Sequence, residues 1–240
     1  MNGREADTTS HDPAVADSGL AIVAGAGPVG RATAVALAEA GRTVVLINRS
    51  LDAMRELPDG IRPELADPTD AAQVKTAIDR LAAELGPPTV LVNTVGMYTM
   101  GDAIETTPDA LKRSLDVNLG AALWLSQAVA THMKHAGTGA IVHIASRPAL
   151  EPAAGVAAYS ISKAALVHLT KVLDVELRPH GIRINAVAPQ LIDTAQNRAA
   201  IPAGVMAHAV APEAIAEAIL FLVSDGSAPI SGAIVPVYGG

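Results

Sequence analysis

Residues 21–34, AIVAGAGPVGRATA, decide the fold. An apolar run enters a loop holding Gly25, Gly27 and Gly30 in a G-x-G-x-x-G pattern, and a helix-forming stretch leaves it. Each glycine has its own task. The first permits a tight turn, the second lets backbone approach a pyrophosphate, and the third lets the helix pack close to the strand. The first helical turn then offers free N–H groups to an anion, and Pro28 suits it because no donor is lost there. With Val29 between them, these glycines form the candidate phosphate cradle. Glycine-rich turns also arise for structural reasons alone, so the strand–turn–helix context carries the dinucleotide reading.

Outward from this loop, short apolar runs alternate with longer helical stretches. Strands are expected at 20–24, 43–47, 89–93, 140–145, 182–188 and 233–237, several apolar on successive residues as in a sheet covered on both faces. A further strand near RPELAD (62–67) is required by the alternation more than by its own residues. Helical periodicity runs through 29–41, 70–85, 109–133, 157–179 and 212–225. Such alternation predicts an α/β fold: a single Rossmann-type doubly wound parallel sheet of about seven strands with helices on both faces. Residues 1–18 are polar and aperiodic and are expected to form a disordered tail, and residues 19–240 a single domain.

Composition narrows the partners. Half the residues are hydrophobic, yet there are only one Phe, one Trp and three Tyr, so the core must be aliphatic. A formal charge of −7 without a basic block argues against nucleic acid or an anionic membrane surface. There is no cysteine, which excludes disulfides and thiolate metal sites. No apolar run is long enough to span a bilayer and no secretory signal is evident, so a cytoplasmic protein is expected. His132 and His135 share a helix face without a third ligand, and no metal is expected.

The second strand ends in LINRS (46–50). An acidic residue there would hold the adenosine ribose hydroxyls, whereas an arginine accommodates a 2′-phosphate. Arg49, with Ser50 assisting, therefore points to NADP(H), and NAD(H) is the alternative coenzyme. In AAYSISKAAL (157–166), Tyr159 and Lys163 stand four residues apart, one turn along a helix face. A cation beside a phenol eases its deprotonation. The same spacing also fits a packed tyrosine and a solvent-directed lysine.

Taken together, these residues resemble the short-chain dehydrogenase/reductase family across residues 20–238. The segment 144–166 is similar to the family's serine strand end followed by Tyr-x-x-x-Lys, giving Ser146, Tyr159 and Lys163. DVNLGAA (116–122) supplies Asn118 where the family has a fourth catalytic residue. LVNTVG (91–96) keeps Asn93 and Gly96 of the family's Asn-Asn-Ala-Gly, and LADPTD (65–70) offers Asp67 at the adenine. NAVAPQLIDT (185–194), with Pro189, Ile192 and Thr194, is similar to the segment closing over the nicotinamide. The resemblance implies a reversible ketone–alcohol oxidoreductase. Tyr159 is then the acid or base, Lys163 lowers its pKa and holds the nicotinamide ribose, Ser146 orients the substrate oxygen, and Asn118 holds a relay water.

Three departures stand out: the glycine loop is one residue shorter than the family's Thr-Gly-x-x-x-Gly-x-Gly, Gln190 replaces a glycine, and Thr94-Val95 replaces Asn-Ala. A looser likeness of 192–204 to the dihydropteridine-reductase-like branch keeps a pteridine or quinone reductase as an alternative. A cofactor-binding protein with little turnover is the alternative from another class. Residues 97–104, 147–157 and the lid at 191–210 are expected to set substrate identity, and the lid is mostly apolar, which favours an apolar or alicyclic carbonyl or alcohol substrate. The family's habit implies a homo-oligomer, tetramer or dimer.

Overall fold

The computed structural model describes residues 19–239; the tail expected over residues 1–18 lies outside them. β1 (Leu20–Ala24) is buried along its whole length, with β2 (Thr43–Asn48) on one side and β4 (Pro88–Asn93) on the other. Completing the set are β3 (Ile61–Leu65), β5 (Gly139–Ile144), β6 (Ile182–Pro189) and β7 (Ile234–Val237). All pair in parallel, in the order β3-β2-β1-β4-β5-β6-β7. Strand order therefore reverses between β1 and β4, and a crevice opens beyond their carboxyl ends.

The helices are α1 (Pro28–Glu39), α2 (Ala71–Leu85), α3 (Pro108–Leu115), α4 (Ala121–Ala136), α5 (Ala157–Leu177), the short α6 (Ala195–Ala200) and α7 (Ala203–Met206), and α8 (Pro212–Val223). Alternation along each strand divides the interior in two. Leu20, Ile22 and Ala24 face α2, α4 and α5, while Ala21 and Val23 face α1 and α8. Burying each Val, Leu or Ile contributes about 1.5–3 kcal/mol, so two aliphatic layers suffice without aromatics.

Two expectations shift. The strand expected over 62–67 lies at Ile61–Leu65. It is an edge strand, where Pro63 costs no ladder bond, and its charges pair with α2: Arg62 with Glu84 at 2.8 Å and Glu64 with Arg80 at 2.5 Å. The single helix expected over 109–133 is interrupted by a π-helical turn, Asp116–Gly120, between α3 and α4. One extra residue in that turn swings Asn118 inward, fully buried.

Candidate active site

Two adjoining cavities straddle the switch point. The larger, about 590 Å³, lies over β1, β2 and β3 and is lined by the glycine loop, Arg49, Asp67 and the α3 end. The smaller, about 200 Å³, lies over β4, β5 and β6 and holds Ser146, Tyr159 and Lys163. Thr94, Gly96 and Met97 line both, so the two form one cleft.

In the larger cavity the glycines separate by task. Gly25 has φ +101°, a left-handed turn that disfavours side chains. A methyl group at Gly30 would lie 1.9 Å from the Gly25 carbonyl oxygen, so helix and loop touch there. At Gly27 a methyl group would meet nothing within 4 Å and would enter the cavity itself. That open approach, at the start of a helix whose first N–H groups lack intrahelical partners, fits a pyrophosphate. The shortened loop is secured by one of the other departures: Thr94 Oγ1 donates to Ala24 O at 2.8 Å and sits under Gly25 and Gly30.

Arg49 is exposed on the cavity wall, and Asp67 lines it with Oδ1 accepting from Thr69 N at 2.9 Å and Thr69 Oγ1 at 2.7 Å. Other expected residues stand back from the cleft. Val29 is buried in the α1 core, Ser50 Oγ accepts from Ala53 N at 3.4 Å, and Thr194 caps α6 by accepting from Asn197 N. Asn93 lies beneath the floor, its Oδ1 accepting from Val95 N at 3.1 Å. Pro189 and Ile192 line the smaller cavity.

That smaller cavity gathers the proton-handling groups. Tyr159 and Lys163 leave the first turns of α5, and Ser146 follows β5 and shares a hydrogen bond with the Tyr159 phenol. Lys163 is 3% exposed and donates from Nζ to Ile144 O at 2.6 Å. Burial holds its ammonium down at about 8. Asn118 accepts from Met97 N at 2.8 Å and donates to Met97 O at 3.0 Å and to Ser162 Oγ at 2.9 Å. Gly96 separates Asn118 from Lys163: a methyl group there would lie 3.1 Å from both Asn118 Oδ1 and Lys163 Nζ.

One electrostatic expectation reverses. Burial pushes the Tyr159 phenol above its ordinary value, the Ser146 hydrogen bond offsets part of this, and Tyr98 adds to the rise. Lys163 directs its ammonium to the Ile144 carbonyl. The phenol therefore stays protonated at neutral pH, the form needed to donate a proton.

Tyr98 lies in the stretch expected to face the substrate, whereas other cleft residues escape sequence reasoning. Tyr98 packs edge-on to Tyr159 with ring centroids 5.0 Å apart. Arg31 staples the glycine loop to the segment after β2, donating to Ala26 O at 3.3 Å, Ala53 O at 2.7 Å and Arg55 O at 2.9 Å. Arg113 and Val117 reach the larger cavity one turn apart, a spacing that could have flagged them beside Asn118. The helix-face histidines do not join each other: His132 pairs with Asp79 at 2.9 Å, and His135 donates to Thr131 O at 2.6 Å.

A profile described as short chain dehydrogenase matches residues 20–203. The chain is 37% identical over 249 residues to a galactitol 2-dehydrogenase of Rhizobium johnstonii, covering 93% of this chain and 95% of that one. It is also 37% identical over 238 residues to human L-xylulose reductase, covering 91% and 94%. A solved structure of a Burkholderia xenovorans protein assigned to the short-chain dehydrogenase/reductases superimposes with a TM-score of 0.88 at 29% identity, covering 94% of this chain and 96% of that one.

Proposed function

The chain belongs to the short-chain dehydrogenase/reductase family, and we propose that it is an NADPH-preferring carbonyl reductase whose acid is Tyr159. The observation carrying this reading is the convergence of Ser146, Tyr159 and Lys163 in one cavity that opens onto a glycine-lined anion cradle. The residues that would hold the coenzyme are Gly25, Gly27 and Gly30 at the pyrophosphate, Arg49 and Asp67 at the adenosine end, and Lys163 with Pro189 and Ile192 at the nicotinamide.

When bound, the reduced nicotinamide supplies hydride to the carbonyl carbon. The chain's own work is at the oxygen. Ser146 donates a hydrogen bond that orients it, and Tyr159 gives its phenolic proton to the alkoxide that forms. Loss of that proton leaves a phenolate, which the Lys163 ammonium stabilises and reprotonates by way of the Asn118 side of the cavity. A phenol held above its ordinary value favours reduction at neutral pH, whereas oxidation needs the phenolate and gains as pH rises.

The walls around this polar end are largely apolar, with Met97, Ile144 and Ile192 among them, which supports a small, mainly apolar or alicyclic carbonyl compound. Ile161, Val172 and Val175 stand exposed on α5 and support association of copies into a dimer or tetramer. A cytoplasmic location is part of the same proposal.

Titrating the protein with NADPH and NADH, followed by nicotinamide fluorescence, tests the coenzyme half. Tight NADPH and weak NADH binding is expected. A preference for NADH overturns the Arg49 assignment, and binding of neither overturns the enzyme reading.

A further inference from the structure

The side chain that most sets this cavity apart is Gln190, directly after Pro189, where the resemblance expects glycine. It lines the cavity together with Ser146 and Tyr159. Its amide is locked in one sense. Gln190 Oε1 accepts from Arg147 Nη1 at 2.8 Å, and because a guanidinium only donates, the amide oxygen must face Arg147. The Nε2 group, with two N–H donors, is then turned away from Arg147, and no protein acceptor binds it among the described residues.

Arg147 is itself fixed. Its Nε donates to Glu151 Oε2 at 2.8 Å, its Nη2 pairs with the same carboxylate at 2.7 Å, and its guanidinium lies 4.9 Å from the centroid of Tyr238. Glu151 neutralises its charge, so the rim presents a neutral donor rather than a free cation. Gln190 is exposed at the cavity rim, so water satisfies its amide N–H groups until a ligand covers them, and a ligand seated there must supply an acceptor in place of that water.

We propose that Gln190 is a specificity-determining donor, positioned by Arg147, that selects carbonyl substrates carrying a second, uncharged oxygen near the reacting carbonyl, such as hydroxy ketones. This rests on the reductase reading above and narrows its substrate class. The expected ligand has an apolar body, one oxygen at Ser146 and Tyr159, and another at Gln190.

Three four-carbon probes test it on the full chain with saturating NADPH: 1-hydroxy-2-butanone, 2-butanone and 2-oxobutanoate. The wild type should favour the hydroxy ketone over the other two in kcat/KM. Gln190→Leu should lower kcat/KM for the hydroxy ketone by about tenfold while 2-butanone stays within about twofold. Arg147→Met should lose part of that preference and Arg147→Lys should restore some of it. A readout independent of turnover is the thermal shift of the NADP+ complex. 1,2-Butanediol should stabilise the wild type more than 2-butanol does, and Gln190→Leu should erase the difference.

Equal losses on hydroxy ketone and 2-butanone, or a raised NADPH dissociation constant, would move Gln190 to the coenzyme and overturn the proposal. Preference for 2-oxobutanoate would also overturn it, by showing Arg147 free to bind an anion. Turnover of 2-butanone without preference sinks the Gln190 role alone. Inactivity on every probe with either coenzyme sinks the reductase reading with it.

Discussion

At the proposed catalytic end of the cleft the decisive groups are buried and held by backbone, whereas at the proposed adenosine end they are exposed and held by little. Lys163 and Asn118 are 3% and 0% exposed and bond to the Ile144 and Met97 main chain. Arg49 stands on an exposed loop, and the staple nearest to it, Arg31, bonds the neighbouring segment instead. Buried groups have shifted proton affinities and fixed positions, so they suit chemistry. Exposed groups act through water, so they grade affinity without setting geometry. The contrast predicts unequal consequences when each end is altered.

The largest effect is expected at Tyr159. Tyr159→Phe should lower kcat by about 10²–10⁴-fold with NADPH binding nearly unchanged, measured by steady-state rates and fluorescence titration. A loss below about tenfold would mean that proton transfer lies elsewhere, and the catalytic end would forfeit its distinction. Next come the two glycines between the ends. Gly30→Ala places a methyl group 1.9 Å from a backbone oxygen and should cost about 1–3 kcal/mol of stability by urea unfolding. Gly27 has φ −70° and open space, so Gly27→Ala should leave stability within about 0.5 kcal/mol yet weaken NADPH about tenfold or more. Were the two variants to behave alike, Gly27 would be a structural turn and not part of a cradle.

Much of this was legible because it is local. The glycine spacing and the Tyr159–Lys163 turn are each written within a few residues, and β1 announces itself by five buried apolar positions. What was not legible depends on distant partners. The π turn at Asp116–Gly120 differs from helix by one residue per turn, which hydrophobic periodicity cannot resolve. β3 was weak because Arg62 and Glu64 answer to Glu84 and Arg80 on α2. The direction of the Tyr159 shift is not legible in the sequence because spacing reveals a neighbour but not burial. The hydroxyl that secures the shortened loop, that of Thr94, comes from 70 residues away in sequence.

At the adenosine end, Arg49→Ala should raise the NADPH dissociation constant by about tenfold and leave NADH within about twofold, because a charge-assisted contact to a 2′-phosphate is the only thing removed. Raising the salt concentration should shrink the wild-type preference toward that of the variant, since an exposed pair is screened. An unchanged preference would strike Arg49 from the site and leave that end of the cleft to hydrogen bonds such as those of Asp67.

The last effect belongs to a buried group outside the chemistry. His143 on β5 is fully buried beside Lys163, with Nε2 3.4 Å from Ser126 Oγ, and burial first, then the Lys163 charge, hold its pKa down at about 3. In the unfolded chain the imidazole titrates near its ordinary 6.5. Between those values the unfolded state binds a proton that the native state refuses, so stability falls as pH drops through that window. The slope from this one residue approaches about 1.4 kcal/mol per pH unit. His143→Gln, which keeps a polar side chain but cannot titrate, should flatten the difference in unfolding free energy between about pH 7 and about pH 5. Because the exposed charges of the adenosine end are solvated in both states, Arg49→Ala should leave that difference unchanged. If both variants show the wild-type slope, His143 is reached by solvent in the native state, and the dry interior assigned to the catalytic end extends less far beneath Lys163 than the fold implies.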